Sequence, residues 1–178
     1  MTSRLPRSFA QQALFTAVAL AAATTALQAG AKTATDNLQI SATVEATCTI
    51  SAANGIAFGL YDPIIANKTR ALDNTGSVTT TCSTGSSVTV ALSQGNSATA
   101  NSTADLPARQ MISSGNYLPY SLYSDAARTI VWGDGTNSIV SDTGDGTART
   151  LTVYGRIAPA VNAPAGTYAD TVVATVTF

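Results

Sequence analysis

From residue 32 onward no segment spaces its apolar residues at the helical period, whereas short β-rich runs recur between turn clusters. The runs fall at 38–50, 56–60, 77–82, 86–93, 117–124, 129–132, 149–157 and 167–178. Between them lie Asn54-Gly55, Asp73-Asn74-Thr75-Gly76, Ser93-Gln94-Gly95-Asn96 and Gly133-Asp134-Gly135, all rich in residues that favour turns. Regularly spaced short strands with such turns predict an all-β sandwich. The Ser/Thr/Ala-rich stretch 96–106 reads as a surface loop, and no second domain, linker or internal repeat is visible.

The first 31 residues predict a secretory signal peptide. Arg4 and Arg7 precede an apolar stretch from Phe9 to Ala23 that includes Gln11 and Gln12, and Ala29-Gly30-Ala31 supplies a small-x-small cleavage pattern. The apolar core falls short of the ~20 residues a bilayer span needs. Residues 32–178 are then extracytoplasmic, with seven basic against ten acidic side chains, a net of −3. That weakly acidic balance argues against nucleic acid and against an anionic membrane surface as partners.

Cys48 and Cys82 are the only cysteines, and an oxidising compartment predicts that they form one structural disulfide. Closing a loop of about 35 residues stabilises by roughly 4 kcal/mol in the chain-entropy picture. There is no histidine, no Cys-x-x-Cys and no Gly-x-Ser-x-Gly, which leaves little for acid–base, redox or nucleophilic chemistry. Paired carboxylates remain conceivable among ten acids, but most stand in turns or near loops. The sequence therefore predicts a protein that is not an enzyme and needs no cofactor.

The two ends carry the pattern that matters. Leu38, Ile40, Ala42 and Val44 alternate with polar residues and so share one side of an extended strand just before Cys48. At the other end Val172, Ala174, Val176 and Phe178 share a face, and the sequence stops with that strand. The sandwich is therefore expected to lack a further strand over the neighbouring edge, leaving unpaired amides and uncovered apolar core. The 38–44 strand could fill that gap, in its own molecule or in the next.

Several motifs then converge: Phe58-Gly59-Leu60-Tyr61-Asp62-Pro63, Arg109-Gln110-Met111, Leu118-Pro119-Tyr120-Ser121-Leu122-Tyr123-Ser124-Asp125, Trp132-Gly133-Asp134-Gly135, Tyr154-Gly155-Arg156-Ile157 and Ala165-Gly166-Thr167-Tyr168-Ala169-Asp170-Thr171-Val172. In this order they closely resemble the spore coat protein U family, whose members include subunits of archaic chaperone–usher pili. The resemblance implies an incomplete immunoglobulin-like sandwich completed by donor-strand complementation. It implies a periplasmic chaperone that lends a strand, an outer-membrane usher, and pilin subunits as partners, with the product carried through the periplasm to a surface pilus. Mapped here, the donor is about residues 32–44 with Leu38, Ile40, Ala42 and Val44 as plugs. Val172, Ala174, Val176 and Phe178 border the acceptor groove, and the family's cysteine pairing maps onto Cys48 and Cys82. Adhesion and biofilm formation follow from the resemblance alone.

Other features have plainer readings. Tyr120, Tyr123 and Trp132 suit a sandwich core better than a sugar-stacking platform. Asp142-Thr143-Gly144-Asp145-Gly146 lacks the spacing and distal Glu of a calcium loop and reads as a hairpin turn. Asn67-Lys68-Thr69 and Asn101-Ser102-Thr103 are formal sequons, discounted because the resemblance points to bacteria. Arg109 and Arg156 are expected in a buried or edge ion pair, with Asp125 and Asp170 as candidate partners. The competing reading is a self-complemented secreted coat or glycan-binding module. The few residues between Val44 and Cys48 disfavour it, because self-insertion requires the chain to reverse within them.

Overall fold

The computed structural model describes residues 30–178; the expected signal peptide lies outside the described residues but for Gly30 and Ala31. Residues 30–42 carry no regular structure and all are exposed. Eight strands follow: β1 (Cys48–Asn54), β2 (Leu72–Cys82), β3 (Ser87–Leu92), β4 (Arg109–Ser113), β5 (Asn116–Tyr123), β6 (Val140–Thr143), β7 (Ala148–Ile157) and β8 (Ala174–Thr177). They form two antiparallel sheets, one ordered β1-β2-β7-β5-β4 and the other β6-β3-β8.

Alternation along the strands builds the core. Val88, Val90 and Leu92 of β3 face Val78 of β2, Leu118, Tyr120 and Leu122 of β5, and Val153 and Ile157 of β7, all buried. Trp132 is buried with them and donates its indole N–H to the Val90 carbonyl at 2.9 Å, which satisfies the one polar atom of the ring. Tyr123 is half-buried. Cys48 and Cys82 stand directly opposite one another in the β1–β2 register and are joined by a disulfide.

Several expected boundaries move. The 38–50 run becomes a strand only at Cys48, and 56–60 acquires no ladder. The 129–132 run reduces to a single bridge between Val131 and Tyr123. In 167–178 one bridge at Ala169 to Ile112 precedes β8, so this segment touches the edge of one sheet before pairing in the other. Conversely, the Asp73–Gly76 cluster is strand, not turn. Asp73 lies opposite Arg156 and takes a two-pronged ion pair from it at 2.7 and 2.8 Å, and Gly76 lies where a Cβ would meet the Asn54 carbonyl at 2.7 Å.

Two strands had no run of their own. β4 is a short edge strand, closed onto β5 by the two-residue loop Ser114-Gly115, both with positive φ as a type I′ hairpin demands. β6 takes in Asp142 and Thr143, so the expected hairpin turn is instead a crossing from one sheet to the other. Gly144 makes that crossing at close quarters: a Cβ there would lie 2.3 Å from the Ser83 carbonyl.

The arginine pairing also differs from expectation. Arg156 pairs with Asp73, and Arg128 joins the same carboxylate at 3.4 Å. The Arg156 hydrogen bond holds the Asp73 carboxyl below its ordinary range. Asp125 instead organises its own loop, accepting from the Thr129 and Ile130 amides at 2.9 and 2.8 Å. Arg109 is buried with no carboxylate bonded to it; its guanidinium donates to the Leu92 and Ser93 carbonyls at 2.7–2.9 Å. Desolvation pulls the Arg109 pKa downward, yet the group stays charged because arginine starts so high.

Candidate functional site

β8 pairs with β3 along one edge, and among the described residues no strand pairs with its other edge. Beside the start of β8 and the segment that leads into it from Tyr168, the two sheets part over a groove of about 400 Å³. Its floor is Val78, Met111, Tyr120, Leu122 and Val153, its near wall Val172, Ala174 and Leu92, and its far lip Ala52, Ile56 and Phe58. A second hollow of about 730 Å³ continues it, sharing Ile56, Phe58, Met111 and Tyr168 and reaching Leu118, Ile157, Ala163 and the loop around Leu60. Phe58 is seated by Gly155, where a Cβ would lie 2.8 Å from the ring, and it meets Tyr120 edge-on at 6.3 Å.

One polar cluster sits in this apolar surface. Asp170 accepts the Tyr120 hydroxyl at 2.6 Å and the Asn96 amide at 3.0 Å. Burial first, then the Asp170 bond, pushes the Tyr120 phenol far above its ordinary pKa, so it remains a neutral donor. Gly95, with φ of 85°, fits beside the carboxylate where a Cβ would come within 2.3 Å of Asp170 Oδ2. Gly95→Ala is expected to destabilise the domain by about 1–3 kcal/mol, through a strained left-handed backbone and displacement of Asp170. Urea unfolding midpoints compared with wild type check this, and an unchanged midpoint would show that the loop relaxes freely.

Such a site has little chemistry to offer a small substrate. No group of three metal-ligating side chains occurs among the described residues. A hydrocarbon slot beside an unpaired backbone edge instead suits an extended amphipathic segment, which gives ladder partners to the edge and apolar side chains to the slot.

Of the residues expected at the acceptor, Val172 and Ala174 line the groove. Val176 packs against the core without lining it, and Phe178 is half-exposed outside it. Of the expected donor residues, Leu38, Ile40 and Val44 are 85, 87 and 90% exposed, and Ala42 is exposed too. The sequence reading did not single out Ile56, Phe58, Met111 and Tyr168 as groove residues. Ile56 and Phe58 carried the one usable signal, an apolar i, i+2 pair in a run that finds no neighbour.

This is the architecture of an immunoglobulin-like sandwich with an open lateral groove. The chain belongs to the spore coat protein U family: the Spore Coat Protein U domain matches residues 34–175. Protein U of Myxococcus xanthus is 40% identical over 177 residues, the match covering 93% of this chain and 99% of that protein. Among solved structures, one similar chain is from the CsuC–CsuE chaperone–tip adhesion subunit pre-assembly complex of archaic chaperone–usher Csu pili of Acinetobacter baumannii, with 26% identity and a TM-score of 0.55. The match covers 76% of this chain and 40% of that one. The P pilus rod subunit PapA matches at 16% identity and a TM-score of 0.52, over 73% of this chain and 97% of its own, and so shares the fold.

Proposed function

We propose that this protein is a shaft or minor subunit of a chaperone–usher surface fibre and polymerises by donor-strand exchange. The observation that carries the reading is the pairing of two unsatisfied features: an apolar groove at the start of the free edge of β8, and an amphipathic 38–44 segment whose plug side chains are exposed. In this reading residues 32–44 of one subunit enter the groove of the next. Leu38, Ile40 and Val44 contribute about 1.5–3 kcal/mol each on burial and Ala42 less. The added ladder satisfies the β8 amides and carbonyls that a dry groove would otherwise leave unpaired. Dissociation exposes the whole groove at once, so the joint is kinetically durable.

Before assembly the same groove is held by a periplasmic chaperone and handed on at an outer-membrane usher, partners that family and fold support by analogy. The subunit then travels through the periplasm to the cell surface, where the fibre supports adhesion and biofilm formation.

Electrophoresis tests this directly. Protein secreted with its chaperone and usher is run in SDS with and without boiling, beside a variant lacking residues 32–44. The expected result is an unboiled ladder that collapses on boiling and is missing from the truncation. Monomer in every lane would replace this reading with a self-complemented binding module.

A further inference from the structure

The outward face of the five-stranded sheet carries a feature that neither the core nor the groove uses. The alternation that buries Tyr120, Leu122 and Ile157 turns Ser121, Tyr123 and Arg156 to the other side, and Ser121 stands directly opposite Arg156 in the β5–β7 register. Tyr120 and Trp132 belong to the core, whereas Tyr123 is half-buried on this outer face. The loop before β4 comes alongside, braced by the Thr99 amide on the Ala108 carbonyl at 3.0 Å. Between loop and sheet lies a hollow of about 290 Å³, lined by Thr99 and Pro107 of the loop and by Gln110, Ser121, Tyr123 and Arg156 of the sheet.

Arg156 is anchored in advance. Asp73 takes its Nε and Nη2 at 2.7 and 2.8 Å, which fixes the guanidinium and leaves Nη1 as the end open to a ligand. Arg128 shares the same carboxylate at 3.4 Å, so two guanidinium charges meet one carboxylate and the cluster keeps one positive charge. Arg128 is held in turn by the Gly155 carbonyl at 3.3 Å and over the Tyr154 ring at 5.6 Å. Asp125, the acid nearest Arg128 in sequence, is turned to the Thr129 and Ile130 amides. A fixed cation beside hydroxyls, a carboxamide and a phenol is complementary to a ligand that carries one carboxylate and several hydroxyls. At about 290 Å³ the hollow lies at the small end of ligand sites and takes one ring rather than a chain.

We propose that this hollow binds an acidic sugar, a uronic acid. Its carboxylate meets Arg156 Nη1, its hydroxyls meet Thr99, Gln110 and Ser121, and the apolar face of its ring lies against Tyr123 and Pro107. The hollow opens on the opposite side of the sheet from the groove, whose floor is Tyr120, Leu122 and Val153, so it stands apart from the donor-strand reading.

Titration of the full-length secreted protein with galacturonate, trigalacturonate and galactose, read by saturation-transfer NMR, tests the site. Galacturonate is expected to bind at least about tenfold more tightly than galactose. Trigalacturonate binding as tightly as the monomer identifies a polysaccharide as the source, and binding of the monomer alone a free sugar acid. Arg156→Lys keeps the charge beside Asp73 but loses the fork, and should weaken galacturonate about tenfold. Gln110→Ala touches no core residue and should weaken it severalfold; it decides the matter if Arg156→Lys lowers the urea midpoint. No binding, equal binding of galactose, displacement by an equal concentration of inorganic phosphate, or unchanged affinity in both variants overturns the proposal. None of these readouts involves the SDS ladder, so their failure leaves the donor-strand reading standing.

Discussion

Aspartate in place of Ile40 or Val44 is expected to stop fibre growth at the donating step while leaving the subunit able to receive a strand. Both side chains lie in residues that form no part of the sandwich core, so folding on a chaperone is unaffected. Insertion would bury a carboxylate against Val78, Leu122, Val153 and Phe58, where no cation waits. Losing the apolar contribution and desolvating the charge together weaken the joint by on the order of 5 kcal/mol, three to four decades in equilibrium. The measurement is the unboiled ladder, supplemented by a mixing experiment in which the variant caps wild-type fibres as a terminal acceptor. Full-length ladders from either variant would sink the assignment of the donor.

Arg109→Ala carries the largest expected effect on the domain itself. The side chain is 1% exposed and bonds two carbonyls, Leu92 and Ser93, at the point where the chain leaves β3. Truncation strands both acceptors at about 1–3 kcal/mol each and opens a cavity beside them. A loss of roughly 3–6 kcal/mol is expected in urea unfolding, enough to unfold a domain of ordinary stability. Arg109→Lys should recover only part of it, because one ammonium cannot reproduce the planar fork. A loss below about 1 kcal/mol would mean that water replaces the guanidinium.

The sandwich was legible because period-two alternation is dense in β3, β5 and β7, whose alternate apolar positions supply most of the core. β4 and β6 escaped notice because edge strands bury little: Arg109 and Asp142 interrupt the pattern, and the hairpin and crossing that place them depend on Gly115 and Gly144. The Asp73–Gly76 stretch misled for the opposite reason. Its composition is that of a turn, but a cross-strand ion pair and a close backbone approach fix it as ladder. At the groove, Val172 and Ala174 follow from alternation along one apolar run of sequence, although only Ala174 lies in β8. Ile56, Phe58, Met111 and Tyr168 meet only through tertiary packing, which no local period encodes.

The segment that bridges Ile112 at Ala169 and then pairs with β3 from Ala174 fastens both sheets with one length of backbone. In the proposed fibre, load entering along β8 would be shared between the two sheets through these two attachments. Separating the two sheets along this segment would then have to break the Ala169–Ile112 bridge as well as the β3–β8 ladder. That double attachment is set by how the backbone is routed, and it is present in each subunit before any neighbour is added.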